Sequence, residues 1–84
     1  MSGTVCNTET IMGIVSSAAW DEDGDVIAIK ICTRDEKEYA VKNSLLGYEL
    51  FDYIRKEVRI VGQVAALKDG GMEILVKDYE VIRR

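Results

Sequence analysis

The chain has no histidine, no proline and only two cysteines among its 84 residues. Histidine is the side chain that most often acts as a general acid or base near neutral pH, and it is a common zinc ligand. Cys6 and Cys32 are too far apart in sequence to form the closely spaced pair of a zinc knuckle. These absences argue against zinc, and we expect neither a metal site nor a cofactor. In a reducing compartment both cysteines are expected to be free thiols, and a disulfide is open only if the fold brings them together.

Long hydrophobic runs are also missing. No stretch approaches the roughly 18 to 20 apolar residues that span a bilayer, and the opening MSGTVCNTETIMGIV has neither a basic leader nor an apolar stretch of signal length. We therefore expect no membrane association and a cytoplasmic location. The length predicts one domain over residues 1–84, with an ordered core at about 8–82.

The charge is concentrated in one segment, WDEDGD at residues 20–25. The chain has 15 acidic and 11 basic residues, and Asp21, Glu22, Asp23 and Asp25 account for the whole net charge of −4. Counted from Asp21, positions six and twelve of a calcium loop would be Val26 and Cys32 instead of glycine and glutamate, which excludes a helix-loop-helix calcium site. Asp-Gly is typical of a solvated hairpin tip. As a functional rim the loop would repel phosphates and suit a basic protein partner.

Alternation of apolar and polar residues predicts five strands, separated in one place by a helical segment. Ile27, Ile29 and Ile31 are predicted to face the core from the second strand, and Tyr39 from the third. The strands are expected in TETIMGIVSSAA, VIAIKICTR, KEYAVK, VRIVGQVAAL and MEILVKDYEVI.

A helix is predicted over about residues 44–55. Asn43 or Ser44 can cap its first turn, and Arg55 and Lys56 would favour the negative end of its dipole. The apolar face expected to pack on the core consists of Leu46, Leu50, Phe51 and Ile54.

Three strands, one helix and two strands in about 80 residues form the order of the oligonucleotide/oligosaccharide-binding (OB) fold, an all-β five-stranded barrel with its helix between the third and fourth strands. VRIVGQVAALKDGGMEILVKDYEVI resembles the last hairpin of such domains, including small anticodon-binding and single-strand-binding modules. Gly13 resembles the glycine that lets the long first strand curl. The resemblance covers about residues 8–82 as a pattern of elements. A β-grasp fold and an SH3-like barrel remain structural alternatives.

The resemblance implies a ligand across the outer face of the second and third strands, flanked by the WDEDGD and KDGG loops. Carried onto this sequence, it predicts phosphate contacts from three lysines with two arginines nearby, and base stacking by the tryptophan. The candidate nucleic-acid-binding residues are Trp20, Lys30, Arg34, Lys42, Arg59 and Lys68. The alternatives are that the cations are solvated charges and that Trp20 is a hydrophobic lid over one barrel end.

No enzyme motif is present: the only glycine-rich turn, KDGG, precedes a strand and cannot use a helix dipole to bind phosphate. The first expectation is a non-enzymatic OB-fold module that binds single-stranded DNA or RNA. The alternative is a protein-interaction module or assembly subunit that meets its partner through an exposed strand edge or the acidic loop.

Overall fold

The computed structural model describes residues 8–82, which form five strands and a short helical segment. The helical segment consists of α1, Leu45–Glu49, followed directly by a 3-10 helix, Leu50–Tyr53. The strands are β1, Thr8–Trp20; β2, Val26–Thr33; β3, Glu38–Val41; β4, Glu57–Ala66; and β5, Met72–Val81. Among these residues no helix has the length and apolarity needed to cross a bilayer.

The strands form a closed barrel in the spatial order β1-β2-β3-β5-β4. Neighbouring strands are antiparallel except β3 and β5, whose three parallel residue pairs complete the closure. The predicted fold class and the predicted order of three strands, one helix and two strands are therefore confirmed.

Gly13 lies where β1 pairs with two neighbours at once, opposite Thr33 of β2 and Val58 of β4. A Cβ atom at Gly13 would lie 2.5 Å from the carbonyl oxygen of Cys32. The strands can approach this closely only because glycine has no side chain. The predicted role of Gly13 in curling β1 is confirmed.

Alternation along the strands fills the barrel. Ile29 and Ile31 of β2 are buried and Tyr39 is 6% exposed, as predicted, but Ile27 is 55% exposed, so its predicted inward position is wrong. The β1–β2 register shifts between the pairs Ala19–Ala28 and Trp20–Val26, which removes Ile27 from the alternation. The buried apolar core consists of Ile11, Val15, Ile29, Ile31, Tyr39, Leu50, Val58, Ile60, Ile74 and Val76.

The helical segment is shorter than predicted. The hydroxyl oxygen of Ser44 accepts a hydrogen bond from the Gly47 N–H at 3.0 Å, which settles the cap on Ser44. The helical conformation ends at Tyr53, and Arg55 has a left-handed backbone with φ of 74°. The predicted interaction of Arg55 and Lys56 with a helix dipole is therefore wrong.

Candidate binding surfaces

The outer side of β2 and β3 carries two opposite charges in direct contact. Lys30 Nζ lies 3.2 Å from Glu38 Oε1, and register places Lys30 opposite Ala40, which in turn lies opposite Glu73 of β5. Adjacent strands are about 4.8 Å apart, so the Glu73 position is roughly 10 Å from that of Lys30. The Lys30–Glu38 pair is exposed to solvent, so it weakens the attraction of Lys30 for a phosphate without removing it. The outward positions of this surface, Ala28, Lys30, Cys32, Glu38 and Ala40, include no aromatic platform for a base.

The two predicted arginines also lie next to carboxylates. Arg34 Nη2 is 3.9 Å from Glu57 Oε2, and Arg59 is paired with Glu80. Arg59 lies on β4, which is hydrogen-bonded to β1 and β5 and not to β2 or β3. The structure therefore does not bring Arg59 together with Lys30.

The remaining predicted cations, Lys42 and Lys68, are exposed and have no ion pair with another residue of the described range 8–82. Lys42 directly follows β3 and donates its backbone N–H to Ile74 O at 2.9 Å. Lys68 lies in the turn before β5. The first residue of β5, Met72, pairs with Tyr39 near the start of β3, so this turn lies near the start of β3. The two lysines therefore lie toward opposite ends of β3.

Trp20 is the last residue of β1 and lies opposite Val26. It is 57% exposed, so the alternative in which it covers one barrel end is wrong. The apolar side chains of the helical segment pack on the core, and Trp20 does not. Leu50 is buried in the core, and Leu46 and Phe51 pack against it. Trp20 is therefore available for contact with a ligand.

We name the turn of residues 21–25 the acidic tip. Asp21 N–H donates to Asp25 O at 2.9 Å, and Gly24 N–H donates to Asp21 O at 3.1 Å. Asp21 Oδ1 accepts the N–H groups of Asp23 and Asp25 at 2.9 and 3.0 Å. The predicted hairpin tip is confirmed. The side chains of Asp21, Asp23 and Asp25 can bring their carboxylate oxygens within 4.8 Å of one another, but all three are exposed and the turn itself explains their positions, so we assign no metal site.

The β1–β2 hairpin extends beyond its neighbours. β1 pairs with β4 only as far as Ile14, and β2 pairs with β3 only as far as Lys30. The β1–β2 pairing continues to Trp20 and Val26. Residues 16–20 and 26–29 therefore form a two-stranded segment, which we name the ribbon, and the acidic tip closes its end.

The ribbon has an unpaired strand edge on β1. Val15 N–H donates to Lys56 O at 3.1 Å, and Val15 O accepts Arg55 N–H at 2.7 Å. Beyond Val15, within the part of the chain that the structure describes, β1 forms no backbone hydrogen bond on the side turned away from β2. Sequence reasoning allowed for an exposed strand edge but could not locate it, because residue patterns do not show where one strand extends beyond its neighbours.

Two titratable groups that line surface pockets have perturbed pKa values. The Thr33 hydroxyl, which donates to Asp35, holds the pKa of that carboxyl below its ordinary value. The carboxylate of Glu49, which accepts a hydrogen bond from Tyr79, raises the pKa of the phenol to about 12. Neither shift brings a pKa toward neutrality, so neither favours a general acid or base. The pocket lined by Asp35 has a volume of about 520 Å³.

No protein-family model, curated protein or solved structure matches this chain. The structure itself defines the class: a small closed β-barrel of five strands with one helical segment between β3 and β4.

Proposed function

We propose that this chain is a non-enzymatic binding module with an OB-type barrel and that its ligand is another protein. The observation that carries the proposal is the ribbon, which outruns its neighbouring strands, leaves an edge of β1 unpaired and ends in four carboxylates. Exposed strand edges are sites where a further strand can add. The proposal keeps the expected cytoplasmic location, in which thiols stay reduced. Cys32 forms no disulfide within residues 8–82, and Cys6, its one possible partner in the chain, lies outside these residues.

The charge of the acidic tip selects the kind of partner. Asp21, Glu22, Asp23 and Asp25 are exposed, and none of them forms an ion pair with a residue in the range 8–82. At physiological salt their field reaches about 8 Å, which disfavours phosphates and favours a basic surface.

Two exposed apolar side chains accompany this charge. Trp20 is 57% exposed and Ile27 is 55% exposed, and both lie on the ribbon within two residues of the acidic tip. Tryptophan offers arginine or lysine a cation–π contact worth about 0.5 to 2 kcal/mol. A basic segment with an apolar residue would therefore find both kinds of contact on the ribbon.

Single-stranded nucleic acid is the second candidate ligand. Trp20 is free to stack, and Lys42 and Lys68 are not engaged by carboxylates of residues 8–82. Together with Lys30 these lysines would supply the phosphate contacts. This candidate ranks second because Lys30, Arg34 and Arg59 are each paired with a glutamate.

Fluorescence anisotropy with labelled probes separates the two candidates. The probes are an octapeptide of alternating arginine and valine, its glutamate–valine counterpart, and single-stranded oligothymidine and oligouridine, each at about 50 and about 200 mM salt. We expect the basic peptide alone to bind, with an affinity that falls as salt rises. Binding of the oligonucleotides without the peptide would favour nucleic acid, and binding of no probe would exclude both nucleic acid and a free basic peptide as the ligand.

Two matched variants localise the peptide. Glu22→Ser with Asp23→Ser removes two carboxylates from the acidic tip while keeping Asp21, which holds the turn through Oδ1. Asp35→Ser with Glu36→Ser removes two from the exposed turn between β2 and β3. We expect the first variant to weaken peptide binding at least several-fold and the second to leave it unchanged. Equal effects would show that net charge, and not the tip, governs binding.

A further inference from the structure

We infer that the protein partner of the ribbon is a second copy of this chain, paired antiparallel to it along the unpaired edge of β1. The inference rests on the proposed function, because it names the partner of the same surface. It follows from the direction of the backbone hydrogen bonds, from the small side chains at this edge and from the position of opposite charges at its two ends.

The backbone at this edge is available for strand pairing. Val15 directs its N–H and C=O away from β2, toward Lys56 and Arg55. This direction alternates along an antiparallel strand, so Ser17 directs its N–H and C=O to the same side. Ser17 has no recorded backbone partner there among residues 8–82. The side chains of Ser17, Ala18 and Ala19 are small, which lets another backbone approach.

The opposite edge of the ribbon is less accessible. On β2, the pairing with β3 ends at Lys30, and Ile29 is the first residue beyond it. Ile29 as a whole, backbone included, is only 2% exposed, so its backbone is not accessible to another strand. On β1, Ser17 and Ala19 are half-buried, and Ala18 and Trp20 are exposed. Strand addition is therefore assigned to β1.

The charges at the two ends of this edge are complementary. The β1–β2 register shifts between Ser17 and Ala19 and again between Ala19 and Trp20, and Asp21 N–H turns toward the β2 side to reach Asp25 O, so Trp20 directs its backbone away from β2 as Ser17 does. Pairing about a twofold axis between Ala18 and Ala19 therefore sets Ser17 opposite Trp20 of the second copy. The acidic tip of each copy then begins opposite Ser16 of the other, next to the edge position at Val15 that Arg55 and Lys56 occupy. Both cations are exposed and form no ion pair with another described residue. The isologous arrangement makes this contact twice.

Repulsion between the two acidic tips does not oppose this arrangement. In the antiparallel pair the tips lie at opposite ends of the shared edge, about five residues or roughly 17 Å apart at about 3.4 Å per residue. This separation is about twice the Debye length of about 8 Å at physiological salt. A parallel pair would place the tips side by side.

The shared edge is short, so the dimer is expected to be weak. Interfaces smaller than about 1,200 Å² typically belong to transient complexes. We expect a Kd between about 1 μM and about 1 mM. Sedimentation velocity of the full chain from about 10 μM to about 1 mM should show the mass rising from monomer to dimer, with a smaller dimer fraction at high salt. A monomer throughout this range overturns the inference.

A charge exchange tests the proposed contact. One variant carries Glu22→Lys and Asp23→Lys at the acidic tip, and the other carries Arg55→Glu and Lys56→Glu. Each variant alone places like charges in contact and should be monomeric, whereas an equimolar mixture restores both attractions and should form a heterodimer. A control with Lys68→Glu and Lys77→Glu changes exposed charges away from this edge and should self-associate like the parent. Circular dichroism establishes that all variants are folded.

Amide hydrogen exchange tests strand pairing itself. Exchange at Ser17 should slow at high protein concentration, and exchange in the turn Leu67–Gly71 should not change. A dimer without protection at Ser17, or a mixture that stays monomeric while both variants are folded, overturns the inference. If the chain stays monomeric yet binds the arginine–valine octapeptide, the proposed function stands and only the second copy is excluded. If it neither self-associates nor binds that peptide, both fail.

Discussion

Tyr79 Oη donates a hydrogen bond of 2.6 Å to Glu49 Oε1, which joins strand β5 to the last residue of α1. The ring of Tyr79 also lies 6.1 Å from that of Tyr53 at an interplanar angle of 54°. A tyrosinate beside the carboxylate would lose this hydrogen bond and add a like charge, and this contact raises the pKa of Tyr79 to about 12.

This contact predicts a stability change at high pH. The folded pKa lies above the ordinary value of 10.0, so the contribution is fully present below pH 10 and is lost as the pH rises through about 12. Glu49→Gln removes the charge and should bring the titration of Tyr79 back toward 10. The ultraviolet difference absorbance of tyrosinate, followed against pH, measures the titration of Tyr79. Tyr79→Phe should remove the component near pH 12, whereas Tyr48→Phe should leave it. Persistence of that component in Tyr79→Phe would refute the assignment.

Leu50 is expected to contribute far more to stability than Leu45, although both belong to the helical segment. Leu50 is fully buried in the core, and Leu45 is 85% exposed. Leu50→Ala should lower the free energy of unfolding by about 2–5 kcal/mol because it leaves a cavity. Leu45→Ala should change it by less than about 0.5 kcal/mol. Denaturant unfolding monitored by circular dichroism measures both, and similar losses would contradict the placement of the segment.

The barrel could be predicted from the sequence because its core follows local rules. Ile29 and Ile31, and likewise Val58 and Ile60, show the period of two that a half-buried strand requires. Gly13 interrupts an apolar strand, which is typical of a bend or a close approach. Each of these signals depends on only a few neighbouring residues, so it can be read from the sequence. The order of the strands and the helix then leaves few topologies that the chain can adopt.

The binding surfaces could not be predicted in the same way because they depend on registers between distant segments. Lys30 is paired with Glu38 only because β3 pairs with β2 in one particular register. The bulge that exposes Ile27 has no local sequence signal. The open edge beyond Val15 exists because β4 begins at Glu57, opposite Ile14, and this offset cannot be seen within either strand.

Gly13 and Gly62 are expected to be intolerant of any side chain. A Cβ atom at Gly13 would lie 2.5 Å from Cys32 O, and one at Gly62 would collide with Leu75 O. Because both obstacles are backbone atoms, the strands themselves would have to move. Gly13→Ala and Gly62→Ala should each cost about 1–3 kcal/mol in the free energy of unfolding. Gly71→Ala is the control, since its Cβ would meet only the side chains of Asp69 and Leu67. An equal cost at all three would contradict this explanation.

One substitution in the turn between β2 and β3 should raise the free energy of unfolding. This turn has the same pattern of backbone hydrogen bonds as the turn between β4 and β5, but it has a glutamate where the other turn has a glycine. In the first turn, Thr33 N–H donates to Lys37 O and Glu36 N–H donates to Thr33 O. In the second turn, Leu67 N–H donates to Gly71 O and Gly70 N–H donates to Leu67 O. Glu36 has φ of 68° where Gly70 has 90°. A left-handed conformation costs a side-chain-bearing residue roughly 1–2 kcal/mol, and glycine's extra freedom in the unfolded chain offsets part of the gain. Glu36→Gly should therefore raise the free energy of unfolding by up to about 1 kcal/mol, and Gly70→Ala should lower it by a similar amount. Thermal unfolding measures both, and destabilisation by Glu36→Gly would show that the Glu36 side chain stabilises the turn by more than its backbone conformation costs.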